Sequence, residues 1–113
     1  MAEISYSVIN TANKDMLVSW QTVTESDTFQ QFSLDEAVSE ISVHVTGTFG
    51  GATLTVQGGN VSSEMLDLLQ LSGGVASCTV ADIFSILDRP LYVQPTSSGG
   101  ASQSIDVYML VRR

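Results

Sequence analysis

The residues of this chain that can do chemistry are few and scattered. There is one histidine, His44, and one cysteine, Cys78. A general base or a zinc site needs convergent partners, and no second histidine exists to supply one. His44 sits among polar positions of an alternating stretch, so it reads as an exposed sheet residue. Cys78 directly precedes Thr79, which looks like a helix cap. A helix N-terminus would favour its thiolate, but nothing nearby completes a nucleophilic pair, so Cys78 reads as a small core or boundary residue. Asp27, Asp35, Glu36 and Glu40 gather loosely, without the spacing and glycine of a calcium loop. They read as solvated turn charge. A paired-carboxylate glycosidase would need a larger cleft than a chain of this size easily provides. Gly58-Gly59 and Gly73-Gly74 are followed by no lysine and do not make a phosphate-binding loop. Trp20 and Tyr92 can stack on a sugar, although core packing is the commoner fate of strand aromatics. No catalytic residue, metal ligand or cofactor is assigned, and the chain is expected not to be an enzyme.

The element expected to organise the chain is residues 41–58. Apolar and polar residues alternate on both sides of Gly50-Gly51, the pattern of a β-hairpin with a two-residue loop. In that register Phe49 faces Ala52 and Val45 faces Val56. Thr48, Thr46 and His44 face Thr53, Thr55 and Gln57 on the other side. A slip of one residue would turn the apolar set to water, so the register is well specified.

The rest of the chain is expected to cover this hairpin. Residues 1–34 read as an N-terminal arm or strands: 4–9 and 16–23 alternate, and 29–34 contains a short strand. Residues 10–14 and 35–40 read as turns. Residues 62–69 fit either a helical turn or an extended stretch. Residues 79–88 read as a short helix, because Val80, Ile83, Phe84 and Leu87 share a helical face, Thr79 can cap it, and Pro90 ends it. Leu91 to Gln94 reads as a strand stopped by Pro95, followed by a flexible polar loop. Residues 105–113 form the last strand. It is apolar on both faces, with Ile105, Val107, Met109 and Val111 on one and Tyr108 and Leu110 on the other. Such a strand is buried on both sides or covered by a partner chain. The fold class is therefore all-β with one or two short helices, an antiparallel β-sandwich or jelly-roll-like small barrel, in a single domain over residues 1–113.

Composition narrows the partners. Four Lys and Arg stand against twelve Asp and Glu, a net charge of −8, which repels nucleic acid and anionic membranes. Charged residues are only 14% of the chain against a typical ~25%; Ser, Thr, Gln, Asn and Gly fill the surface instead, which suits packing against protein. No apolar run approaches the ~20 residues that cross a bilayer. Met1-Ala2-Glu3 does not begin a signal peptide, and the lone Cys78 makes no intrachain disulfide. A chain made and kept in a reducing cytosol is expected.

The block Gly47-Thr48-Phe49-Gly50-Gly51-Ala52-Thr53-Leu54-Thr55-Val56-Gln57-Gly58 resembles the central hairpin of small structural proteins of tailed bacteriophages. Leu91-Tyr92-Val93-Gln94-Pro95, the loop with Gly99-Gly100, and Asp106-Val107-Tyr108-Met109-Leu110-Val111-Arg112-Arg113 are similar to theirs too. The resemblance covers residues 41–113. It departs at Glu64-Met65-Leu66-Asp67, where an aromatic segment is expected, and at Gln94, where a basic residue is expected. It implies a capsid decoration or cement protein in the virion, made in the host cytoplasm. Its partners would be the major capsid protein or another virion protein, and further copies of itself, with a trimer as the expected form. The contact residues would be Tyr108, Leu110, Arg112 and Arg113. The alternatives are a head-to-tail connector, tail or fibre component, and a carbohydrate-binding module built on Trp20 and Tyr92.

Overall fold

The computed structural model describes residues 3–10, 15–34 and 38–112. Met1, Ala2, Arg113 and residues 11–14 and 35–37, Asp35 and Glu36 among them, lie outside the described residues, and with them much of the two expected turns. Among the described residues the regular elements are twelve strands: β1 (Glu3–Ile4), β2 (Ser7–Asn10), β3 (Met16–Val23), β4 (Thr28–Phe29), β5 (Phe32–Ser33), β6 (Glu40–Thr48), β7 (Thr53–Gly59), β8 (Leu66–Asp67), β9 (Ser77–Cys78), β10 (Asp82–Ile86), β11 (Tyr92–Ser98) and β12 (Ser104–Arg112). Sheet I has the order β10-β6-β12-β3-β2. Sheet II has the order β5-β11-β7-β8, with β9 also paired to β7. Apart from a small parallel pair, β1 with β4, the ladders are antiparallel. The sandwich expected from the alternating pattern is the fold observed.

The inward faces follow the pattern read from the sequence. Ile41, Val43 and Val45 of β6 and Leu54 and Val56 of β7 are buried, as are alternate residues of β12. Trp20 is fully buried in the core, its Nε1 donating to the Gln30 carbonyl at 3.0 Å. Tyr6, Phe29 and Phe32 meet this cluster edge-on. Among the described residues the buried polar side chain is Gln103, which donates to Ser97 Oγ at 3.0 Å and so avoids the cost of an unmade bond.

Three expectations are corrected. First, residues 41–58 are not a hairpin. The turn at Gly50-Gly51 exists, with the Ala52 N–H on the Phe49 carbonyl at 2.9 Å, but the strands it joins belong to opposite sheets. Val45 is opposite Val107 and Asp82, and Val56 is opposite Pro95. The two apolar faces meet across the core instead of lying side by side. Second, no helix occupies 79–88; β10 runs there, antiparallel to β6, and no helix occurs among the described residues. Phe84 and Ile86 point inward and Ile83 outward, a period of two. The unpaired edge of β6 is satisfied by a strand, which a helix could not do. Asp82 accepts from the neighbouring Ile83 N–H at 2.8 Å and caps no helix. Third, β11 runs through Pro95 to Ser98 rather than stopping at it.

Candidate interaction surface

The outer face of sheet I gathers apolar side chains that no other described part of the chain covers. Directly opposed residues share a face of a sheet. One row therefore reads Ile9, Leu17, Leu110, Ser42 and Ser85 across the five strands, and the next reads Ser7, Ser19, Tyr108, His44 and Ile83. None of these ten positions carries an Asp, Glu, Lys or Arg. Ile83 is 64% exposed and Ile9 60% exposed. At the β10 edge Leu71, 57% exposed, donates its N–H to the Ser85 carbonyl at 3.0 Å. Leu17, Ser42, His44, Ile83, Tyr108 and Leu110 line an open groove of about 430 Å³ on this face. Exposed apolar surface that is contiguous, rather than scattered, marks a contact site.

The aromatic centre of the face is held in place. The His44 and Tyr108 rings lie 5.8 Å apart at 36°, and Gln21 Nε2 donates to the Tyr108 hydroxyl at 3.3 Å. Among the described residues of this face, charge stands at the ends. At one end Arg112 Nε is 3.7 Å from Glu40 Oε1. At the other, Asp106 Oδ1 accepts the Thr22 N–H at 2.7 Å. Thr22 has φ 56°, a left-handed conformation that β-branched residues avoid. It lies where the β3–β12 register shifts, so the bulge and the carboxylate hold one another.

Tyr108 and Leu110 thus lie together at the centre of the face and Arg112 at its margin, while Arg113 lies outside the described residues. β12 is flanked by β6 and β3 on both edges. It can meet a partner only through these outward side chains. Among the described residues no helix covers Tyr108 or Leu110. Ile9, Leu17 and Ile83 were not among the expected contact residues. Their signal was apolar runs such as Met16-Leu17-Val18 and Val8-Ile9, which, like Met109-Leu110-Val111, put an apolar residue on both faces.

The other chemical candidates fall elsewhere. His44 is exposed, opposite Tyr108 and Ile83 rather than Gln57. Cys78 is buried in β9, and burial, with Asp82 nearby, pushes its thiol from 9.0 up to about 11. That is opposite to the activation a helix N-terminus would have given. Asp27 closes a tight turn, accepting from the Thr24 N–H at 3.0 Å and its hydroxyl at 2.8 Å. Trp20 is fully buried, which removes it as a sugar platform. Among the described residues no three His, Cys, Asp or Glu are arranged to hold a metal.

Neither a protein-family model nor a curated protein matches the chain. Among solved structures, the SPBc2 prophage-derived protein YomS is similar to it, with a TM-score of 0.62 at 10% identity, over 93% of this chain and 99% of that one. That likeness shows a shared fold, end to end. Drosophila melanogaster CENP-C bound to CAL1 has a TM-score of 0.43 at 16% identity, over 96% of this chain and 73% of that one. NMB1881 from Neisseria meningitidis has 0.38 at 9%, over 92% and 79%. These two scores are too low to carry an argument.

Proposed function

We propose that this chain is a non-enzymatic structural protein of a tailed-phage virion, a decoration protein that binds the outer capsid surface and stabilises the shell. The observation that carries the reading is the match of the whole fold to a prophage-derived protein of almost the same extent. The uncharged, apolar outer face of sheet I supports it. Covering Ser, Thr and aliphatic side chains carries little of the desolvation cost that burying charge would. An acidic chain is also poorly suited to packaged DNA and well suited to protein contacts. The mechanism is mass action: a subunit that binds only the assembled shell stabilises that shell against opening. The contact residues are Tyr108, Leu110 and Arg112, with the major capsid protein, another virion protein or a further copy of the chain opposite them.

Purified particles test this. Electron microscopy and quantitative mass spectrometry should place many copies across the shell, and particles lacking the protein should open at lower temperature. A handful of copies at one vertex would instead make it a connector or tail part. Absence from the particle would overturn the virion reading.

A further inference from the structure

The outward residues of β12 read Asp106, Tyr108, Leu110 and Arg112, evenly spaced: an acid, an aromatic, an aliphatic and a base. Turned end for end, the series is complementary to itself. We propose that the outer face of sheet I packs against the same face of a second copy, with the two β12 strands antiparallel across a two-fold axis over Met109. Asp106 of each copy then lies opposite Arg112 of the other, and Tyr108 opposite Leu110. This rests on the reading of the face as a contact surface and names its occupant.

Charge selects this arrangement. A chain of net charge −8 repels a second copy over most of its surface. The two central rows of the face carry no Asp, Glu, Lys or Arg, so there the approach is not opposed. On β12 itself the end residues Asp106 and Arg112 have opposite sign, separated by six residues, about 20 Å at the rise of a strand, and Glu40 shares the Arg112 end. The antiparallel arrangement sets Asp106 against Arg112; the parallel one sets Asp106 on Asp106 and Arg112 on Arg112. Arg112 and Glu40 are 53% and 48% exposed, so the guanidinium has room for a second carboxylate. Such rim pairs fix register more than affinity.

The area is adequate. Strands about 4.8 Å apart, three of them (β3, β6, β12) over those 20 Å and the shorter β2 and β10 over about 13 and 17 Å, give roughly 430 Å² of flat sheet per copy. Side-chain relief brings the total past the ~1,000 Å² at which specific interfaces begin. Packed sheets cross at about 30°, which keeps Tyr108 and Leu110 in contact at the centre, where anchors matter most. Each face is consumed by one partner, so this contact builds pairs, where the decoration-protein resemblance implies threes.

Sedimentation velocity on the full-length protein should show a species at twice the 12.0 kDa of one chain. Leu110→Lys should weaken it about thirtyfold or more with an unchanged circular dichroism spectrum. Arg112→Asp and Asp106→Arg should each weaken it when alone and restore it when mixed, because the heterodimer regains both unlike pairs. If Asp106→Arg disturbs the fold through Thr22, a second measurement stands independently. Tyr108→Cys and Leu110→Cys proteins, mixed and oxidised, should crosslink to each other faster than either does to itself. A species that stays at the mass of one chain, a three-fold species, or preferred crosslinking of Tyr108→Cys to itself would overturn the proposal. A monomer that still decorates particles would overturn the pairing alone and leave the virion reading standing.

Discussion

Along β12 the inward residues Ile105, Val107, Met109 and Val111 are at most 1% exposed, while Asp106, Tyr108 and Leu110 one residue away remain partly open to solvent. The backbone, the ladder partners and the local sequence are shared. What differs is what lies opposite: sheet II across the core, or nothing supplied by the described chain. An apolar residue in a strand is thus evidence of a contact, and not of which molecule provides it. On the inner face the contact is a packed interior, where lost volume and unpaired charge are both costly. On the outer face the same residue types are tolerated as a surface.

The comparison breaks if the two faces respond alike to charge. Met109→Asp should abolish cooperative unfolding altogether, since an unpaired carboxylate in the core costs several kcal/mol, a large share of the ~5–15 kcal/mol typical of a domain. Leu110→Lys, its neighbour, should change monomer stability by no more than about 0.5 kcal/mol. Urea unfolding followed by tryptophan fluorescence reads both, because Trp20 lies in the core. Equal losses would place Leu110 in the core and deny the outer face its role.

A smaller effect is expected at the corner that lets the inner faces meet. Gly50 has φ 57°, and a Cβ there would run into the Ala101 carbonyl oxygen. The Ala101 N–H in turn donates to the Gly50 carbonyl at 3.0 Å, so the corner and the 99–103 loop form one unit. Gly50→Ala should cost about 2–4 kcal/mol, combining left-handed strain with displacement of that loop. Because the corner acts on the inner face, the variant should keep its quaternary state wherever it remains folded. The measurement is a denaturation midpoint beside a sedimentation profile.

The polarity of the strands was legible in the sequence, and their partnership was not. Alternation told which of Val43, Val45, Leu54 and Val56 point inward. It is indifferent to whether a buried face is covered from beside or from across, so β6 and β7 read as a hairpin while in the fold they face each other. Residues 79–88 satisfied two periods at once: Val80, Ile83, Phe84 and Leu87 at helical spacing, Phe84 and Ile86 at strand spacing. The need of β6 for a neighbour, a long-range fact, decided between them. The contact face was partly legible for the same reason. Tyr108 and Leu110 stood out as surplus on a strand already apolar on its other side. Ile9, Leu17 and Ile83 join them only through the order β2-β3-β12-β6-β10, which no local pattern discloses.

The finest test of the difference between the faces is a proton. Cys78 lies on the buried side of β9, and desolvation, with a lesser contribution from Asp82, raises its thiol from 9.0 to about 11. The unfolded chain has neither influence. Between about pH 9 and pH 11 the native protein therefore holds a proton that the unfolded chain has released. Stability falls as pH rises wherever the native state binds more protons. This contribution is fully present below pH 9, is lost through about pH 11 and changes no further above it. Tyrosines and lysines titrate in the same range, so the quantity to measure is the difference between wild type and Cys78→Ala, which should be constant at pH 7–8 and shrink steadily above pH 9. A thiol introduced outside and away from the proposed contact face, by Leu66→Cys at a position 75% exposed, in the Cys78→Ala background, should behave as an ordinary solvent-facing cysteine. A two-unit gap in pKa leaves the buried thiol with roughly a hundredth of the thiolate near neutral pH, so iodoacetamide should label the outer position about a hundredfold faster than Cys78. Comparable labelling rates in the folded protein would mean that β9 opens readily and that the inner face is less closed than its burial indicates.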